Sequence, residues 1–239
     1  MYSDVVDLRD FYQTHLGQVA RRLIRQRIRS FWPDVAGLRV LGLGYANPYL
    51  RPFVGEAERV LSFMPARQGV LHWPREAANV VTLVNEGELP LQNFSIDRVL
   101  MVHALEGAPD AEMMLGEVWR VLSGGGRVLV VVPNRRGIWA RLDLTPFGAG
   151  SPFTLNQLTR LLRQMAFTPL GHGHALYVPP SKSRMLLRAA VAWEKVGLRW
   201  FPGFSGIILV EATKQLYARP TIAPAQAKRI AYRPAATPV

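Results

Sequence analysis

Cysteine is absent from the 239 residues. That removes disulfides, thiolate catalysis and Cys-ligated zinc, and it suits a cytoplasmic protein. Long apolar runs are missing as well: no stretch approaches the ~20 residues that span a bilayer, so no transmembrane segment is expected. The N-terminus, MYSDVVDLRD, carries three Asp and no apolar h-region, which argues against a secretory signal. Acid is in short supply, with 17 Asp and Glu against 29 Lys and Arg and a net charge of +12.

The positive charge is concentrated. Arg21, Arg22, Arg25, Arg27 and Arg29 share one N-terminal segment, and Arg219, Lys228, Arg229 and Arg233 lie in a tail after residue 218 that has no acid. Such patches attract an acidic protein or an anionic surface; a solvated helix face with a disordered tail is the plainer reading. Nothing resembles an RNA-recognition motif, so nucleic acid is not an expected partner. A hydrophobic content of 49% with 19% charged residues belongs to a globular chain with a substantial core, and this length often folds as one α/β unit.

Periodicity supplies the elements. Leu8, Phe11, Tyr12, Leu16, Val19, Leu23, Ile24 and Ile28 recur at spacings of three and four, predicting one helix over 7–31, ended by Pro33 and Gly37. Apolar runs of strand length follow at LRVLGLG (38–44), ERVLSF (58–63), NVVTLV (79–84), DRVLMVH (97–103) and RVLVVV (127–132). A helix around 110–122 places Met113, Met114, Val118, Val121 and Leu122 on one face, and SGGG (123–126) breaks it. Amphipathic patterns at 154–165 and 183–200 alternate with strand-like 167–178 and 206–215. Continuous apolar strands between helices indicate a parallel sheet covered on both faces. The expected organisation is a basic amphipathic helix at 1–35, a folded domain at 36–218 and a disordered basic tail at 219–239.

Several motifs stand in a telling order. Leu89-Pro90 and Ser95-Ile96-Asp97 precede His103-Ala104-Leu105-Glu106-Gly107; Leu122-Ser123-Gly124-Gly125-Gly126 then feeds RVLVVVPN, and FTLNQLTRLLRQMAF (153–167) and GIILVEATK (206–214) follow. Over about residues 36–216 the chain resembles the class I S-adenosylmethionine-dependent methyltransferases of the type-11 branch. The resemblance implies a Rossmann-like seven-stranded methyltransferase sheet with helices on both faces and the last strand antiparallel. It also implies S-adenosylmethionine as cofactor.

In such sheets the ligand lies outside the carboxyl ends of the strands at the switch in strand order. By resemblance the cofactor-binding positions are Gly42, Gly44, Tyr45 and Ala46 after strand 1, Ser62, Phe63 and Met64 after strand 2, Asn85, Glu86 and Gly87 after strand 3, and His103 after strand 4. The family's acid before its G-x-G-x-G loop is Gly42 here, and Ala46 and Pro48 replace two of the glycines. The family's ribose-binding acid after strand 2 is also missing, and Ser62 offers one hydrogen bond at most. Asn85 or Glu86 falls where the family contacts the adenine amino group.

His103 is the candidate catalytic base, its proton affinity suited to a substrate N or O; packing against the neighbouring helix is the alternative. Glu106 would orient it. Asn134 is expected to point to the substrate side of the cleft, beside Arg135 and Arg136. His72-Trp73 could roof the cofactor pocket. His172 and His174 alternate on a strand with no nearby carboxylate, a poor metal set. Trp193–Phe204 is expected to cover the sheet edge. The functional expectation is a methyltransferase of unidentified acceptor, with a catalytically inactive partner-binding relative as the alternative.

Overall fold

A computed structural model describes residues 2–74, 76–142, 145–181 and 183–216; the expected tail at 219–239 lies outside them. Where one helix was expected over 7–31 there are two, α1 (Val5–Gln13) and α2 (His15–Phe31). The break is Thr14, whose backbone is extended and whose side chain caps α2 by accepting from the Gly17 amide at 3.0 Å. A Cβ at Gly17 would run into the Phe11 carbonyl, so the glycine lets α2 turn away close against the end of α1. Hydrophobic periodicity carries across this junction unchanged, and the cap, not the stripe, marks it.

The strands are β1 (Arg39–Gly44), β2 (Arg59–Pro65), β3 (Val81–Val84), β4 (Ile96–Val102), β5 (Leu122–Pro133), β6 (Phe167–Ala175) and β7 (Ile207–Lys214). They form one sheet in the order β3-β2-β1-β4-β5-β7-β6. β1 to β5 are parallel, and β7 runs antiparallel between β5 and β6. This is the Rossmann-like arrangement expected from the sequence. Strand order reverses at β1, which pairs with both β2 and β4, so the crevice at the switch point opens beyond Gly44 and Val102.

Alternation along the strands feeds two cores. Val40, Leu100, Val102, Leu129, Val131 and Leu209 face one side, against α1, α2, the short helix α3 (Asn47–Leu50) and Leu187. Leu41, Leu43, Val99, Met101, Val128, Val130, Ile208 and Val210 face the other, against α4 (Ala111–Val121) and α5 (Leu155–Gln164). α5 opens with a reciprocal capping box between Thr154 and Gln157. Met113, expected on the buried face of α4, is exposed, because one residue is a ~100° step from Met114, which is fully buried.

The helices α6 (Arg184–Arg188) and α7 (Ala190–Trp200) differ from expectation more strongly. Only Ala190 and Gly197 of α7 are buried, the glycine lying flat against the Tyr177 ring. Trp193, Leu198, Trp200 and Phe204 are exposed, so the aromatic segment does not cover the sheet.

Candidate functional site

Four loops converge beyond the carboxyl ends of β1 to β4. Gly44 closes β1 with φ +83°, and a Cβ there would strike the Val102 carbonyl and lie 2.8 Å from the Ala104 methyl. The glycine is therefore what lets β1 and β4 meet at the switch point. Ala46, at φ −85°, carries no strain and starts α3, with Pro48 in its first turn, where the missing N–H costs nothing. The space beside Gly42 that an acidic side chain would need is taken by Leu50 and Ala46, 2.5 Å and 2.8 Å from where its Cβ would sit.

At the end of β2, Met64 is fully buried, and the Ser62 hydroxyl donates to Asn47 Oδ1. Phe63 belongs to the opposite core. At the end of β3, Asn85 Oδ1 accepts from the Gly87 amide at 3.1 Å, and Glu86 accepts from Tyr2 Oη at 3.3 Å. The structure thus brings the loops of Gly44, Asn85, Glu86, Gly87 and His103 to one edge. Ser62, Phe63 and Met64 instead face inward, because their strand runs on to Pro65.

His103 has a left-handed backbone, φ +50°, uncommon for a side chain of its size. Its carbonyl accepts from Gln68 Nε2 at 2.8 Å and its Nε2 lies 2.8 Å from Tyr12 Oη. Tyr49 Oη donates to Tyr12 Oη at 2.8 Å. The Tyr12 hydroxyl thus links Tyr49 to His103 Nε2, and His103 Nδ1 lies 3.4 Å from Glu106 Oε1. Both Glu106 oxygens are buried without a hydrogen-bond donor among the described residues. Phe147 packs on His103 at 4.9 Å between centroids. Burial raises the hydroxyl pKa of Tyr2, Tyr12 and Tyr49, so all three stay neutral donors.

The occupant of the crevice is α1, which sequence reasoning did not place there. Tyr2 lies against Gly107 and bonds Glu86; the Val5 amide donates to the Gln68 carbonyl at 2.8 Å; Tyr12 stacks on Tyr45 at 5.7 Å. Val5, Leu8 and Tyr12 are buried in the same core as Met64 and Val102. The available signal was the Leu8, Phe11, Tyr12 spacing, read as an ordinary amphipathic face; Val5 and Tyr2 lay before the expected helix. Where His103, Glu106 and Gly107 meet Tyr2, only about 10 Å³ stays open, roughly one water. With Tyr2 seated, this corner of the crevice has no room for a ligand.

A wider cleft of about 960 Å³ lies outside α1, bounded by Tyr12, Tyr45, Asn47, Pro48, His72 and Trp73 with Arg9, Arg21, Arg25 and Arg51. His72 and Trp73 thus border this cleft together with the loop after β1. Asn134 does not: its amide donates to the carbonyls of Gly203 and Ser205 at 3.0 and 2.9 Å, a structural clamp. His172 and His174 do adjoin, at 5.7 Å between centroids. Among the described residues no group of His, Asp and Glu is arranged to hold a metal.

Residues 66–130 match the family model Methyltransf_11, a methyltransferase domain, which supports the class I, type-11 resemblance. No curated protein sequence matches the chain. Among solved structures, a SAM-dependent methyltransferase of Thermotoga maritima is similar at TM-score 0.65 and 18% identity, covering 88% of this chain and 96% of that one. A chain of the complex between the Haloferax volcanii Trm112 methyltransferase activator and a methyltransferase matches at TM-score 0.60 and 16% identity, over 89% and 99%. The 1,6-didemethyltoxoflavin-N1-methyltransferase of Burkholderia thailandensis, solved with S-adenosylhomocysteine, matches at TM-score 0.54 and 17% identity, over 88% and 85%.

Proposed function

Taking residues 66–130 as a methyltransferase domain, we propose that the protein is an S-adenosylmethionine-dependent methyltransferase whose structure here is the closed state, with α1 seated in its own cofactor trough. The observation that carries this reading is the crevice at the β1/β4 switch point, framed by Gly44, Glu86 and His103 and filled by Tyr2, Val5 and Tyr12. The solved structure from Burkholderia with S-adenosylhomocysteine supports the choice of cofactor for this fold, and the absence of cysteine supports a cytoplasmic setting.

S-adenosylmethionine supplies an electrophilic methyl group, and its transfer depends mainly on holding donor and acceptor in line. The chain's own residues supply position and a proton acceptor. Withdrawal of Tyr12 with α1 frees the His103 Nε2 lone pair, which takes the proton of an acceptor N–H or O–H. Glu106, 3.4 Å from Nδ1, stabilises the imidazolium that results. Glu86, released from Tyr2, becomes free to accept from an amino group.

Closure lowers apparent affinity by the fraction of molecules that are open. Calorimetric titration with S-adenosylmethionine and S-adenosylhomocysteine therefore tests the reading. Weak binding to the natural chain is expected, with roughly tenfold tighter binding to Tyr12→Ala or Tyr2→Ala as closure is weakened. No heat from any of the three proteins at millimolar ligand would sink it and leave a methyltransferase fold that acts without the cofactor.

A further inference from the structure

The exposed face of α6, α7 and the turn after them carries a combination of side chains that the proposed methyl transfer does not use. Met185, Val191, Val196, Trp200, Phe201 and Phe204 stand in solvent, Met185 at 77% and Trp200 at 67% exposure. Four cations, Arg184, Arg188, Lys195 and Arg199, are exposed among them. The segment's single acid, Glu194, is turned inward, where it accepts from the Tyr177 amide at 2.7 Å. The outward charge of 183–204 is therefore entirely positive.

The neighbouring helix extends the pattern. Arg22 of α2 borders one shallow pocket with Leu187, Arg188 and Val191, and Arg22, Arg25, Arg29 and Arg51 line the next. The Arg29 charge is matched by Glu56 at 2.7 Å; among the described residues no carboxylate lies within ion-pair distance of Arg21, Arg22 or Arg25. On α7, Val191 and Trp200 are nine residues apart and stand about 180° from each other on the two flanks of its exposed half, with Lys195 and Arg199 between them.

We propose that this face docks the protein on an anionic lipid bilayer, with Trp200, Phe201 and Phe204 entering the headgroup boundary and the arginines of α2, α6 and α7 lying over the lipid phosphates. Tryptophan and phenylalanine with Lys and Arg beside them is the composition of helices that lie in a membrane interface. Anionic headgroups complement the positive field without a matching shape. The aromatic turn is also held firmly: Asn134, at the end of β5, clamps Gly203 and Ser205. That places the docking face at the same edge of the sheet as the crevice. No helix among the described residues is long and apolar enough to cross a membrane, so the contact is with one leaflet.

The test is co-sedimentation of the full chain with vesicles of phosphatidylcholine alone and of phosphatidylcholine with phosphatidylglycerol, read together with tryptophan emission. The natural protein is expected to bind the anionic vesicles, with a blue shift, and to stay free of the neutral ones. Trp200→Ser, Phe201→Ser and Phe204→Ser combined should weaken partition roughly tenfold or more. Arg188→Gln with Lys195→Gln and Arg199→Gln should weaken it comparably and leave a smaller salt dependence. These side chains are exposed, so both variants should keep the natural unfolding midpoint; a lowered midpoint in the aromatic variant leaves the charge variant to decide. The proposal is overturned by absence of binding at low salt or by binding that the aromatic variant retains in full. A natural dimer in sedimentation that the aromatic variant loses, or an acidic protein held by this face in preference to vesicles, would overturn it too.

Discussion

Tyr12 Oη stands 2.8 Å from His103 Nε2, joining residues 91 positions apart, and the same oxygen accepts from Tyr49 Oη at 2.8 Å. One hydroxyl thus ties the N-terminal helix to the end of β4 and to the helix after β1. It also keeps Nε2 of the candidate base occupied. Stability and availability of that base are set against each other at a single atom.

Tyr12→Phe isolates that atom. The ring keeps its stacking on Tyr45, while Tyr49 and His103 lose a buried partner, at a cost of about 1–3 kcal/mol. The urea midpoint should fall with an unchanged slope. Tyr12→Ala removes the ring as well and should cost roughly 3–5 kcal/mol as a cavity opens. An undiminished midpoint for Tyr12→Phe beside a full loss for Tyr12→Ala would show that the hydroxyl contributes nothing.

Acid stability reports on Asp97. Two hydrogen bonds from the Arg39 side chain, at 2.8 and 3.0 Å, hold its carboxyl at about 2, below the ordinary 3.8. The Arg39 amide and the Ser123 hydroxyl add to this. Because the folded value is depressed, the contribution is complete above about 3.8 and is lost as pH falls through about 2. Asp97→Asn should lower stability at neutral pH by roughly 1 kcal/mol, the pair being partly exposed. It should also flatten the acid limb between those two values. An acid limb identical to that of the natural chain would assign the transition to other carboxylates.

The fold was legible because local and global signals agree in it. LRVLGLG and RVLVVV are buried on both faces and read as continuous apolar runs, and FTLNQLTRLLRQ declares its own cap. Gly44, Asn85, Glu86 and His103 were legible from their places at strand ends. The occupation of the crevice was not. Val5, Leu8 and Tyr12 carry the spacing of any amphipathic helix, and period alone does not say which surface a stripe meets. Trp193–Phe204 misled in the opposite direction: an aromatic cluster reads as core, yet Gly197 is the residue of α7 that contacts Tyr177 closely, and the rings turn outward. Asn134 was read as a site residue from its position alone, whereas its two carbonyl partners lie about 70 residues downstream, at Gly203 and Ser205.

Asn134→Ala releases those two carbonyls, at Gly203 and Ser205. Ser205 is fully buried, so its carbonyl loses a donor without gaining water, at a cost of about 1–3 kcal/mol. Amide exchange should accelerate over 201–206 before it does in β5. Uniform acceleration across the sheet would show that the clamp serves the whole fold and not this turn.

Gly44→Ala and Gly37→Ala form a matched pair. Both glycines have positive φ, +83° and +69°, so each alanine carries a similar backbone cost of about 1 kcal/mol. Around Gly37 there is nothing within 4 Å of the added methyl, whereas at Gly44 it meets the Val102 carbonyl and sits 2.8 Å from the Ala104 methyl and 3.1 Å from its Cα. Backbone cannot yield as a side chain can, so β1 and β4 must separate, adding roughly 1–3 kcal/mol of overpacking. Chemical unfolding should therefore place Gly44→Ala well below Gly37→Ala. Similar midpoints for the two would mean that the switch point tolerates a Cβ and that the close approach of β1 to β4 does not require a glycine here.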